Sequence, residues 1–140
     1  MPSRSPKFAL LDTSIYIENF RSGRFTFRLV RSPFIIRCSA VVLHELLRGA
    51  QTRAERRFVF ELSRHCQVLT STEQQWLKAA EILQRLRHRE HYDATKLREL
   101  AFDVLIALSA RDIGAAVITT NHADFRAIQK EVPFQLLCWE

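Results

Sequence analysis

Phe8-Ala9-Leu10-Leu11-Asp12 is the stretch that decides the architecture. Its apolar residues leave no polar face, and the run is short, so it suits a strand buried on both sides, as in a parallel sheet. The strand ends in an acid. Thr13 and Ser14 follow with oxygens suited to capping a helix over Ile15-Tyr16-Ile17-Glu18-Asn19-Phe20. The same strand-then-helix order recurs downstream. Phe34-Ile35-Ile36-Arg37-Cys38 is a second strand after Pro33, and Ser39 caps a helix over 40–50. Residues 52–66 are helical in pattern, and Val68-Leu69 adds a short strand. A helix from Ser71 or Thr72 carries Trp76, Ala80, Leu83 and Leu86 as its apolar stripe and fades into the basic run 85–91. A further helical stretch ends near Ile113, closed by Gly114. Residues 115–120 form the next long strand, Asn121 caps a helix to Lys130, Pro133 ends it, and Phe134 to Trp139 is the last strand. Residues 21–31 alternate bases with Phe25, Phe27 and Leu29, a pattern that fixes no element. Strands separated by helices predict an α/β chain with a central parallel sheet flanked by helices, an α/β/α sandwich.

The bulk properties bound the function. At 140 residues with 47% hydrophobic content, the chain suits one domain over 1–140 with a full core, and wide-ranging disorder is excluded. No 18-residue apolar run exists, so no membrane span is expected. The polar start, Met1 to Lys7, lacks the form of a secretory signal, and the expectation is a soluble, cytoplasmic domain. Twenty-one Lys and Arg against fifteen Asp and Glu give +6, which favours an anionic partner, nucleic acid first. All the bases except Lys7, Lys78, Lys96 and Lys130 are arginines, the side chain better shaped for phosphate. Cys38, Cys66 and Cys138 are widely spaced beside apolar residues and are expected to be reduced structural cysteines rather than a zinc site.

Phosphate-cradling glycine loops and hydrolase elbows are absent, and His44-Glu45 lacks the second histidine of a zinc protease, with Arg48 in its place. What stands out is acids in apolar company. Asp103 lies within Ala101-Phe102-Asp103-Val104-Leu105-Ile106-Ala107-Leu108. A carboxylate there is paired, protonated or metal-bound, unless it sits in the first turn of a helix and is favoured by the dipole. Asp12 ends a buried strand, where ligands gather in open α/β sheets, or else caps the next helix. Glu45 lies opposite the apolar side of its helix, and a surface pair with Arg48 would also account for it. Asp124 follows Asn121 by three, the spacing of a capping box. In a parallel sheet all four can meet at one edge. Their mutual repulsion, roughly 3 kcal/mol per pair at about 5 Å in an effective dielectric near 20, calls for a bound cation. Oxygen ligands alone select Mg²⁺ or Mn²⁺.

The chain resembles the PIN-domain ribonucleases, and among them the small VapC-type toxins of prokaryotic toxin–antitoxin pairs. The matching stretches are Leu11-Asp12-Thr13-Ser14, Ser39-Ala40-Val41-Val42-Leu43-His44-Glu45-Leu46, Phe102-Asp103-Val104-Leu105-Ile106-Ala107 and Thr119-Thr120-Asn121-His122-Ala123-Asp124-Phe125, in that order. The likeness runs from about residue 8 to 139. It implies a single PIN-like domain and a metal-dependent endoribonuclease using Mg²⁺ or Mn²⁺. Asp12, Glu45 and Asp103 would surround the metal and Asp124 would take the fourth place, with Asn121 an amide where some members carry an acid. Thr13, Ser14, Thr119 and Asn121 would support the site. The mechanism implied is in-line attack of water on a phosphodiester, leaving 5′-phosphate and 3′-hydroxyl ends. RNA would be held by phosphate contacts from Arg21, Arg24, Arg28, Arg48, Arg85, Arg87 or Arg89. A cognate antitoxin and a homodimer are the implied protein partners, with the aromatics of 25–34 and 58–60 available for such contacts or for the core. A binding scaffold without turnover and a ribonuclease of RNA maturation are the competing roles.

Overall fold

In a computed structural model, which describes residues 6–140, the chain forms the expected sandwich of parallel sheet and helices. The polar N-terminal stretch noted above falls largely outside the described residues. The strands are β1 (Phe8–Leu11), β2 (Ile35–Ser39), β3 (Val68–Leu69), β4 (Ala116–Thr119) and β5 (Gln135–Cys138). The helices are α1 (Thr13–Ser22), α2 (Thr26–Val30), α3 (Ala40–Gly49), α4 (Arg53–His65), α5 (Glu73–Glu90), α6 (Ala94–Ile113) and α7 (His122–Gln129). Strand order is β3-β2-β1-β4-β5 and every pairing is parallel. From β1 the chain builds outward through β2 and β3, then crosses to β4 on the other side of β1. The order therefore reverses between β1 and β4, and the crevice beyond their carboxyl ends is where an open α/β sheet binds ligands.

The double-sided apolarity of the first strand has its cause in the packing. Ala9, Leu10 and Leu11 are buried in the middle of the sheet, with Leu10 opposite both Arg37 and Val117 in register. Helices α1, α3 and α4 pack on one another, as do α5, α6 and α7, the grouping that crossovers on opposite faces of the sheet produce. Helix α6 is the centre of the second group. Val104 through Ala110 are all buried, a helix apolar all round because sheet and helices enclose it. Cys38 is buried, Cys66 and Cys138 are partly buried, and all three are free thiols. No helix among the described residues is long and apolar enough to cross a membrane.

Two sequence expectations need correction, and one unassigned segment gains a structure. The buried stripe of α5 is Gln75, Ala79, Ile82 and Leu86, so Trp76 and Ala80 face out and Trp76 is 51% exposed. Gln75 is the reason. It closes a capping box with Thr72 and donates from Nε2 to Asp112 Oδ2 at 2.8 Å, which allows a polar side chain into the stripe. Asp103 is the tenth residue of α6, not a first-turn acid, so the helix dipole does not account for it. Finally, the unassigned 21–31 segment holds the end of α1 and the short α2. Gly23 terminates α1 at φ 69°, and the Asn19 side chain then accepts from Phe25 N–H and the Thr26 hydroxyl. Phe25 is fully buried against Trp139, whereas Phe27 is 65% exposed.

The corrected stripe makes a direct prediction. Ile82→Ala should cost about 2–5 kcal/mol in chemical denaturation, the range for an emptied core site. Trp76→Ala should stay within about 1 kcal/mol, because its ring lies largely outside the core.

Candidate active site

The carboxyl ends of β1 and β4 supply the floor of the site. Asp12 directly follows β1 and is buried, its backbone N–H bonded to Ile118 O at 2.9 Å. It occupies the N-cap position of α1 but makes no cap with its side chain. Its Oδ2 accepts instead from the Ser14 hydroxyl at 2.8 Å and the Thr119 hydroxyl at 2.9 Å. Ser14 Oγ also accepts from Thr120 N–H, and Thr119 Oγ1 from Asn121 N–H. These hydroxyls tie the first turn of α1 to the end of β4 and fix one oxygen of Asp12. Thr13 and Ser14 thus bind the site's acids rather than capping a helix.

Glu45 comes from α3, with Ser39 capping that helix by accepting from Val41 N–H as expected. The Thr13 hydroxyl donates to Glu45 Oε1 at 3.0 Å, which ties the second acid to the first through consecutive residues. Burial pushes the Glu45 carboxyl up, the Thr13 hydrogen bond opposes this, and repulsion from Asp12 adds to it. Arg48, the suggested surface partner of Glu45, lies over the Phe102 ring at 5.9 Å from its centroid. His44 meets the same ring edge-on at 5.7 Å. Phe102 therefore docks α3 onto α6 between the residues that flank Glu45.

Asp103 is the most perturbed of the acids. Burial is the main cause, and repulsion from Asp12, Glu45 and Asp124 adds to it, with Lys96 opposing, so that its carboxyl is pushed up to about 8. It has no hydrogen-bond partner among the described residues. Asp124, in the first turn of α7, is held on both oxygens: Lys96 Nζ donates to Oδ1 at 2.9 Å and Asn121 Nδ2 to Oδ2 at 2.9 Å. The Asn121–Asp124 pair is therefore a side-chain bond, not the backbone capping box that their spacing suggested, and Asn121 makes no side-chain cap.

Hydrogen bonds link Asp12, Glu45 and Asp124 with Thr13, Ser14, Thr119 and Asn121, whereas Asp103 reaches the other acids only through charge. The arginines divide. Arg85 and Arg89 pair with Glu131, Arg89 also donating to Ala127 O, so these two brace α5 against the end of α7. Arg24 pairs with Glu18, and Arg28 stacks on Trp139 at 4.4 Å. Arg21 and Glu45 both line a cleft of about 100 Å³ between α1, α3 and α4, with Tyr16, Phe20 and Phe58. Lys96 escaped the sequence reading. Its one signal there was a lysine in an arginine-rich chain, seven residues ahead of Asp103 on the same helix face.

Among the described residues, no three His, Cys, Asp or Glu side chains stand close enough to grip an ion as they are. The donor chemistry nonetheless suits a hard divalent cation. The acids bring only oxygen, they repel one another, and Asp103 has no donor of its own.

Fold and site together define an open parallel α/β protein with an acidic, oxygen-only site at its switch point. The family model described as PIN domain matches residues 9–131, and the chain belongs to that family. Among solved structures, it is similar to VapBC-1 from nontypeable Haemophilus influenzae, at 23% identity over 94% of this chain and 98% of that one, TM-score 0.71. It is also similar to VapBC2 from Rickettsia felis bound to a DNA fragment from their promoter, at 18% identity over 95% and 99%, TM-score 0.68. A third likeness is to VapBC-5 of the VapBC family of toxin-antitoxin systems from Mycobacterium tuberculosis, at 24% over 96% and 100%, TM-score 0.56. No curated protein sequence matches the chain.

The shifted acid makes stability depend on pH. A carboxyl raised from 3.8 to about 8 in the folded state gives stability that is full below the unfolded value and is lost as pH rises through the folded one. Without divalent metal, the melting temperature should therefore fall between pH 4 and 8. Asp103→Asn should flatten that fall and melt higher than wild type at pH 8. Parallel pH profiles of the two proteins would show the assignment to be wrong.

Proposed function

We propose that this chain is a divalent-metal-dependent endoribonuclease acting as the VapC-like toxin of a toxin–antitoxin pair, cleaving RNA phosphodiesters in the cytoplasm. The observation that carries the reading is that Asp12 after β1, Glu45 of α3 and Asp124 of α7 converge electrostatically on Asp103 of α6. Perturbed acids at a switch-point crevice mark a functional site. Asp12, Glu45 and Asp103 would hold Mg²⁺ or Mn²⁺, and Asp124 is the fourth acid of the site. Such a cation, when bound, lowers the pKa of water and neutralises phosphate charge.

The chain's own groups do the rest. Ser14 and Thr119 fix Asp12, and Thr13 fixes Glu45, so the acids are oriented before anything binds. Below about pH 8 Asp103 keeps its proton, with which a divalent cation competes. The net charge of +6 draws RNA to the surface, and the open arginines Arg21 and Arg87 are available for phosphate. Cleavage by water would leave 5′-phosphate and 3′-hydroxyl ends. The toxin role draws on the similar structures, two of them described as VapBC and one as a member of the VapBC family of toxin-antitoxin systems. An antitoxin protein is the implied partner, with a homodimer as the assembly.

One observation favours a second reading, a PIN domain that binds without turning over: the acids do not yet stand close enough to hold an ion. Incubation of the protein with a small-RNA pool separates the two. Discrete cuts with Mg²⁺ or Mn²⁺, lost with EDTA and reduced at least 100-fold in Asp12→Asn, are expected of the nuclease. A scaffold gives no cuts and no rise in melting temperature with Mn²⁺. Light scattering at micromolar concentration checks the dimer, and a monomer there removes it.

A further inference from the structure

Both oxygens of Asp124 are already taken. Lys96 Nζ donates to one at 2.9 Å and Asn121 Nδ2 to the other at 2.9 Å. Each oxygen keeps a further lone pair, but the charge held against this carboxylate is already a cation. Lys96 is placed for a specific role. It lies in the first turn of α6, two turns ahead of Asp103 on the same face, about 10 Å along the axis, a gap its long side chain can largely close. Its ammonium also sits 5.8 Å from the Tyr92 ring centroid, so it is held from a second side. The lysine side chain remains 32% exposed and Asp124 20%, so the ammonium is anchored yet open to a ligand. An ammonium has three donors, and only one is engaged by Asp124.

We propose that Lys96 is the resident cation of this site: Asp124, itself held by Asn121, anchors its ammonium on the helix that carries Asp103, where it takes the place of a second divalent ion and presents a donor to the RNA phosphate. The proposal rests on reading the site as a metal-dependent nuclease. It changes the part Asp124 plays, from metal ligand to anchor of a fixed positive charge. The site then binds one divalent ion, on three carboxylates. An ammonium suits the second place because it is a compact point charge that contacts phosphate without needing the bidentate geometry of arginine.

The test is Mn²⁺ binding by titration calorimetry, with no RNA present, on the full chain and on Lys96→Met, Lys96→Arg and Asp103→Asn. Wild type should bind one Mn²⁺ per chain, and Asp103→Asn should lose it. Lys96→Met removes the charge and frees Asp124, so a second Mn²⁺ should bind or the first should tighten roughly tenfold or more. Lys96→Arg keeps the charge and should keep the single equivalent. Adding Asp124→Asn to Lys96→Met should remove the gained ion. RNA cleavage by Lys96→Met at low Mn²⁺ should fall at least tenfold, with recovery as Mn²⁺ is raised to fill the vacated place. Two Mn²⁺ on wild type, or an unchanged titration in a folded Lys96→Met, would overturn the resident cation while leaving the nuclease standing. Absence of any Asp103-dependent Mn²⁺ binding would bring down both.

Discussion

A carboxylate without a hydrogen-bond donor among the described residues, at the edge of the most buried helix, is the constraint around which the rest of the site is organised. Helix α6 must bury Val104 through Ala110 to close the core, and Asp103 is the residue immediately before that run. Its neighbours across the crevice are other acids, so burial and repulsion act together and hold its proton up to about pH 8. Nothing in stability explains keeping an acid there, since an amide of the same shape avoids the penalty. Perturbed acids of this kind cluster at functional sites.

The hydroxyls around it follow the same logic. Thr13, Ser14 and Thr119 each serve Asp12 or Glu45, and none serves Asp103. Helix caps show the choice most clearly. Helices α3, α4, α5 and α6 begin with Ser39, Thr52, Thr72 and Asp93, and each of these side chains accepts from the first turn. Helices α1 and α7 begin at the site, with Asp12 and Asn121 in the cap positions, and neither side chain caps its helix. A lost cap costs about 1 kcal/mol. At both helices that cost is accepted, and the freed side chain joins the acidic network instead.

Much of this was legible in the residues. A parallel sheet follows from Phe8–Leu11 and Ala116–Thr119 being apolar on both faces, and the acid placed directly after Leu11 pointed to the crevice. Asp103 was visible because its flanks are uniformly apolar. The failures share a cause: each depended on a side chain doing something local that hydrophobicity does not encode. Gln75 entered the stripe of α5 because the capping box and Asp112 satisfy it, which displaced Trp76 to the surface. Residues 21–31 resolve into two helices because Asn19 bridges Gly23's turn to Phe25 and Thr26. Lys96 is invisible because its role arises only when α6 and α7 pack side by side.

Which parts of the site are rigid also follows from where they are anchored. Asp12 and Thr119 are set by neighbouring strands in fixed register, Leu11 beside Ile118, so their relation cannot change without breaking the sheet. Glu45, Asp103 and Asp124 stand on three separate helices, and their separation is set by side-chain docking. Phe102 between His44 and Arg48 governs α3 against α6, and Lys96 with Asp124 governs α6 against α7. These contacts add to broad apolar packing, in which α6 buries Val104 through Ala110 between sheet and helices. The sheet thus fixes one acid of the group, and three packed helices carry the others.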